Sequence, residues 1–257
     1  MSLPASISGR GYRLEVFDSL GSTNDEAMAR AREGDPGRLW IRAAQQTGGK
    51  GRLGRQWVSP SGNLYASLLL VDTSAPERAP QLGFVAGVAL AATLTRLLGA
   101  KAKLKWPNDI VVEGAKLAGI LLEATQTRGG AFACVIGVGV NCASHPHRLP
   151  YPATDLASLG VAIAAADLLD SFAEELADRL DQWDEGRGFA QIRAAWLSFA
   201  AGIGEAATVA IGDQRIKGLL RGLDEQGRLL LETEVGLRTI DAGDVFLPGL
   251  CEASGQL

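Results

Sequence analysis

The chain has 257 residues, room for one large domain or a large one with a small companion. Apolar residues make up 47% and charged residues 21%, the profile of an ordinary globular protein. The formal charge of −4 excludes a global basic field that would recruit nucleic acid or an anionic membrane, so any positive charge that matters must be local.

Met1–Tyr12 does not read as a signal peptide, because Arg10 and Arg13 interrupt any apolar stretch. Tyr12–Phe17 alternates like a strand, and Asp18–Gly21 turns into a helix that runs to about Glu33. Thr23 and Glu26 have capping-box spacing, with Asp25 adding negative charge to the first turn. Leu39–Ala44 reads as a strand, a basic glycine-rich stretch covers 45–63, and Leu64–Val71 is a further strand. Ala79–Leu98 is helical by its three- and four-residue apolar spacing. Its uncharged run, 82–95, falls short of the ~20 residues that span a bilayer and suits a packed core helix.

Lys103–Trp106, Ile110–Val112, Leu117–Ala124 and Phe132–Val140 are apolar-rich strands bounded by Asn, Asp or Gly. Helices follow at Asp167–Glu185, with Asp167 as its cap, and at Phe189–Phe199. From Ala206 to Phe246 short β-rich runs alternate with turn residues, which predicts a small barrel of the SH3 type attached near Gly202–Gly204. The domain reading is therefore 1–203 and 204–257. Cys134, Cys142 and Cys251 form an odd set without metal spacing, which suits a reducing cytoplasm, and Cys134 falls in a core strand pattern. His145 and His147 lie in a Pro-flanked loop and read as surface residues.

The segment richest in chemistry is Gly49-Lys50-Gly51-Arg52-Leu53-Gly54-Arg55-Gln56-Trp57, which concentrates cations and glycines in an otherwise acidic chain. Glycines let the backbone approach a ligand, turn N–H groups cradle anions, and Lys and Arg add charge-assisted bonds to phosphate or carboxylate. An anion-binding loop, ordered by its ligand, is the simplest reading, beside a solvated basic turn or a nucleic-acid contact. The match to G-x-G-x-x-G is formal only, since no helix opens at the third glycine. No Gly-Lys is followed by Ser or Thr, so a P-loop is absent from the sequence.

Ser22-Thr23-Asn24, the 46–57 loop, Lys105-Trp106-Pro107-Asn108-Asp109, Lys116-Leu117-Ala118-Gly119-Ile120-Leu121 and Gly137-Val138-Gly139-Val140-Asn141 together resemble the biotin protein ligase family in order and spacing. The family loop is G-R-G-R-x-G-R-x-W. Here Lys50 replaces the first arginine, which keeps the charge and loses the bidentate fork. The resemblance implies an α+β fold, a mixed sheet with flanking helices like class II synthetases and lipoate ligases, plus a small C-terminal SH3-like barrel. It implies adenylation of biotin by Mg2+-ATP and transfer to a lysine of a biotin carboxyl carrier protein. It also implies a cytoplasmic enzyme, as monomer or homodimer, without nucleic-acid or membrane partners.

By the same resemblance, Ser22, Thr23, Asn24 and Gln46 meet the biotin ring, while Lys50, Gly51 and Arg52 contact biotin and close over the adenylate. Arg55, Trp57, Lys105, Asn108 and Asn141 serve ATP. Lys116 is the chief catalytic cation, with Arg52, and Asp109 serves the metal–phosphate end or steers the acceptor lysine. From the residues alone, Trp57 also reads as a core anchor, Lys116 reads first as a solvated strand end, and Asn141 also reads as a turn residue. Some family members carry an N-terminal helix-turn-helix repressor domain, for which the roughly eleven residues before the first strand are too few. The alternative activity is a lipoate or octanoate ligase or transferase of the related fold, whose expected Arg-Arg-x-Ser-Gly-Gly-Gly loop is not in this sequence.

Overall fold

The computed structural model describes residues 3–72, 75–147 and 149–248. In chain order it forms α1 (Ala5–Ser8), β1 (Arg13–Leu20), α2 (Thr23–Glu33), β2 (Leu39–Gln46), β3 (Leu64–Val71) and α3 (Gln81–Leu98). There follow β4 (Ala102–Lys105), β5 (Asp109–Val112), β6 (Ala115–Gln126), β7 (Phe132–Val140), α4 (Ala165–Trp183) and α5 (Phe189–Phe199). The last part is β8 (Ala206–Ile211), β9 (Gln214–Leu223), β10 (Leu229–Thr233), β11 (Gly236–Ile240) and β12 (Asp244–Phe246).

Seven strands form one sheet in the order β1-β2-β3-β7-β6-β5-β4. Only β1 and β2 run parallel; the other pairs are antiparallel, so the sheet is mixed. Side chains alternate between its faces. On β7, Cys134, Ile136, Val138 and Val140 join the main core, where α3, α4 and α5 pack. Ala133 and Val135 face the other way, against Ala27, Met28 and Ala31 of α2. The next two residues on that second face are Gly137 and Gly139, so the apolar wall gives way to open space where α2 begins.

The helix α3 is long and apolar enough to cross a membrane by length and composition, yet it is buried on most of its surface as the central core helix. Cys134 lies in the core as expected, and burial pushes its thiol up to about 12. Cys251 lies outside the described residues.

The second sheet has five antiparallel strands in the order β11-β10-β9-β8-β12. It is the predicted small β-rich unit, but its ladder is open between β11 and β12 rather than a closed ring. It shares the main core with the first part: Gly227 packs against Phe84 and Phe189, and Trp106 Nε1 donates to Gly227 O at 3.4 Å.

Three local expectations need correction. The N-cap of α2 is Ser22 rather than Thr23, its Oγ accepting from Asp25 N at 3.5 Å. Ser, Thr and Asn are all competent caps, so a Ser-Thr-Asn run leaves the register open. Asp167 sits inside the first turn of α4, whose N-cap is Ala164 without a side-chain bond. His145 is only partly exposed: its Nδ1 meets Asp155 Oδ2 at 2.6 Å inside the 141–161 segment, whereas His147 is exposed as expected.

Candidate active site

The open space beside α2 is a cleft that opens to solvent on one side. Ser22, Thr23, Asn24, Gln46, Lys50, Gly51, Arg52, Arg55, Trp57, Lys105, Asn108, Asp109 and Lys116 all line it. Of the residues predicted from sequence only Asn141 stands apart, in a smaller neighbouring recess with Trp57, Lys116 and Tyr151. Its amide donates to Thr154 O at 3.0 Å and it is 3% exposed, which is the behaviour of a strand-closing asparagine.

The basic segment folds as a hairpin across the cleft. Gly51 N donates to Arg55 O at 2.7 Å and Trp57 N to Gly49 O at 2.9 Å. The tip is Leu53, at φ +56° and 80% exposed. Lys50 Nζ pairs with Asp25 at 2.5 Å, and that bond holds its ammonium above the usual lysine range. Arg52 is pulled inward: burial lowers its guanidinium pKa, with Asp244 opposing, and Nη1 approaches Asn108 Oδ1 at 3.4 Å. An arginine stays charged at any physiological pH, so the site gains a partly dehydrated, permanent cation.

The far end of the cleft is a polar wall. Thr23 N donates to Gln46 Oε1 at 2.8 Å, Gln46 Nε2 to Ser59 Oγ at 3.0 Å, and Ser59 Oγ to Trp57 O at 2.9 Å. Ser67, fully buried on β3, bonds Thr23 Oγ1 and Asn24 Oδ1, and Asn24 Nδ2 donates to Glu123 Oε2 at 2.8 Å. Gly137 lies beneath Asn24, and any Cβ there would collide with the Asn24 amide.

Lys116 reaches this face through a β-bulge. Asp109 pairs with Gly119 and Ile110 with Ala118, but Val111 pairs with Lys116, so Leu117 is the extra residue. Simple alternation from Gly119 would send Lys116 to the core side; the bulge restores it to the cleft. Its Nζ lies 2.7 Å from Asp109 Oδ1, a contact of charges without an aligned hydrogen bond. The same ammonium stands 5.4 Å from the centre of the Trp57 ring and 5.6 Å from that of Tyr151, within cation–π range of both. The Trp57 ring lies on Gly119 and Gly139, and its Nε1 is buried without a hydrogen-bond partner among the described residues.

Sequence reasoning missed four participants. Tyr151 arrives on the segment that bonds to β6 through Lys116 N and Pro152 O, at 2.9 Å. Ser67 and Glu123 stand on strands β3 and β6 with no motif around them. Asp244 comes from the second sheet, 3.0 Å from Arg55 and 3.8 Å from Arg52. Gly137 and Gly139 were visible as a motif, and their period of two on a strand was the available signal for a shared open face.

Residues 16–141 match the model of the Biotin/lipoate A/B protein ligase family, and residues 202–247 match the Biotin protein ligase C terminal domain. The chain is 38% identical over 236 residues to a biotin--[acetyl-CoA-carboxylase] ligase of Paracoccus denitrificans, covering 89% of this chain and 98% of that protein. The chain belongs to the biotin protein ligase family. A bifunctional ligase/repressor of Escherichia coli is 33% identical, over 92% of this chain and 74% of its own length. Among solved structures, the biotin protein ligase from Aquifex aeolicus in complex with biotin and ATP superposes with a TM-score of 0.77 at 28% identity, covering 91% of this chain and 97% of that one. Family membership favours the biotin over the lipoate reading, since relatives matched over 98% and 90% of their own length are biotin--[acetyl-CoA-carboxylase] ligases.

Proposed function

We infer that the cleft performs ATP-dependent ligation of biotin to protein: biotin and ATP give biotinyl-5′-AMP and pyrophosphate, and a lysine of a biotin carboxyl carrier domain then takes the biotinyl group and releases AMP. The observation that carries this reading is the convergence of Arg52 and Lys116, from separate segments, on one cleft that ends in a neutral polar wall.

A carboxylate and a triphosphate repel each other, so their reaction needs cations placed where both anions meet. Arg52, Arg55 and Lys105 line the cleft on that side, and Lys116 stands between the aromatic rings and Asp109. Lys116 neutralises charge that builds on the α-phosphate as the biotin carboxylate oxygen attacks and pyrophosphate leaves. The Ser22–Asn24 and Gln46 wall supplies the donors and acceptors a ureido ring requires. The Trp57 face and its unpartnered N–H suit a flat heteroaromatic base. Asp109 and Asn108 are the oxygen donors in the cleft that would hold a magnesium ion accompanying the triphosphate, and that ion would supply charge neutralisation on the phosphates. In the second half-reaction, Asp109 is placed to steer the ammonium of the acceptor lysine, which sheds its proton to solvent before attack. The 1–203 part carries this chemistry and the 204–257 part closes one side of the cleft. A cytoplasmic setting matches the buried, reduced Cys134 and Cys142.

Mixing the protein with ATP, magnesium, biotin and an apo carrier domain should release pyrophosphate and label one lysine; no biotin-dependent release sinks the reading. Lys116→Ala should lower kcat for adenylation by 10²-fold or more, at about 2.7 kcal/mol or above, and change biotin affinity far less. Equal losses in both would exclude a transition-state role.

A further inference from the structure

We propose that Glu123 is the positioning residue that sets which way the Asn24 amide faces, and so makes that point of the cleft a donor toward the ring of its ligand. This deepens the biotin reading above and rests on it.

An asparagine amide has two nearly isosteric ends, and its neighbours decide which end points where. Asn24 has two polar neighbours, Ser67 Oγ at 2.6 Å and Glu123 Oε2 at 2.8 Å. Ser67 is a hydroxyl that donates or accepts, so it tolerates either end. A carboxylate only accepts, so it tolerates the NH2 end alone, and it does so through a charge-assisted bond. Glu123 therefore decides. With Nδ2 turned to the carboxylate, Oδ1 must take the Ser67 hydrogen. Thr23 Oγ1 lies 2.8 Å from Ser67 Oγ and 3.1 Å from Gln46 Oε1, so with the Ser67 hydrogen on Asn24 the Thr23 hydrogen is committed inside the wall, to one of these two oxygens.

Gln46 is fixed independently, because its Oε1 takes the backbone N–H of Thr23. What remains for a ligand is a second Nδ2 hydrogen on Asn24 and lone pairs on Thr23. Asn24 is 3% exposed and braced against Gly137, so water does not substitute for these partners freely. The site thus reads a ligand carbonyl as an acceptor, and it does so through a glutamate that does not itself line the cleft.

The test uses the full chain and the pyrophosphate assay. Glu123→Gln keeps the size but offers Asn24 either a carbonyl or an amide, which frees the flip. Biotin KM should rise about fivefold with kcat within twofold. The analogue bearing an imino group in place of the ureido oxygen presents N–H where biotin presents lone pairs. Preference for biotin over this analogue should narrow by at least the same factor. In the Asn24→Ala background, Glu123→Gln should have no further effect on biotin KM. Unchanged KM and preference, or an equal effect with and without Asn24, overturns the proposal while leaving the ligase reading standing. Absence of biotin-dependent pyrophosphate release by the unmodified protein overturns both.

Discussion

Gly119 and Gly139 face each other across β6 and β7 and form the bed on which the Trp57 ring lies. A methyl group on Gly139 would stand 2.6 Å from Trp57 Cε2 and Nε1, too close for any carbon contact, whereas one on Gly119 would stand 3.2 Å from Cζ3. The ring must therefore leave its bed in Gly139→Ala and shift only slightly in Gly119→Ala. ATP KM should rise tenfold or more in the first and about twofold in the second, read by pyrophosphate release, with tryptophan fluorescence reporting the displacement. Equal, small effects would mean that Trp57 does not meet the nucleotide. At this scale the motifs were legible because several polar or glycine residues stood together, as at Ser22–Asn24 and Gly137–Gly139. Glu123, Ser67 and Tyr151 were not, since each is isolated in the chain and gains its partner only by strand register.

Strands β3 and β7 were readable to the residue, because both are buried on both faces and end at turn formers. The Leu117 bulge was not: it depends on pairing with β5, and no local propensity announces it. His145 and His147 were read as surface residues of a Pro-flanked loop, but His145 helps to staple the segment that carries it. Burial pushes the Asp155 carboxyl up, and the bonds from Ser158 N–H and His145 outweigh this, leaving it below the usual carboxylate range. A carboxyl depressed by folding adds stability above its unfolded pKa and loses it as pH falls through the folded one. Stability should therefore drop as pH falls below ~4, the ordinary aspartate value. Asp155→Asn should cost about 2 kcal/mol at neutral pH, seen as a Tm lower by roughly 5 °C, and should flatten the acid limb of Tm against pH. A variant with an unaltered acid limb would place the acid sensitivity in another group.

The division of the chain into a mixed-sheet part and a β-rich part was visible as a change of composition after Gly204, but the way the two meet was not. Asp244 of the second sheet enters the cleft, where its carboxylate faces Arg55 and Arg52. Two effects of this charge oppose each other for an incoming triphosphate. It holds the guanidiniums in place, and it repels the phosphates that would replace it. The Arg55 pair is about half exposed on the arginine side, where such pairs are worth ~0–1 kcal/mol, so its holding effect is small. Asp244→Asn retains an acceptor for Arg55 and removes the repulsion, so the second effect should win. ATP KM should fall two- to fivefold at low ionic strength with biotin KM unchanged, and the difference should vanish near 1 M salt, where the screening length is ~3 Å. A rise in ATP KM that survives high salt would show instead that the second sheet reaches into the cleft to hold the arginines for phosphate.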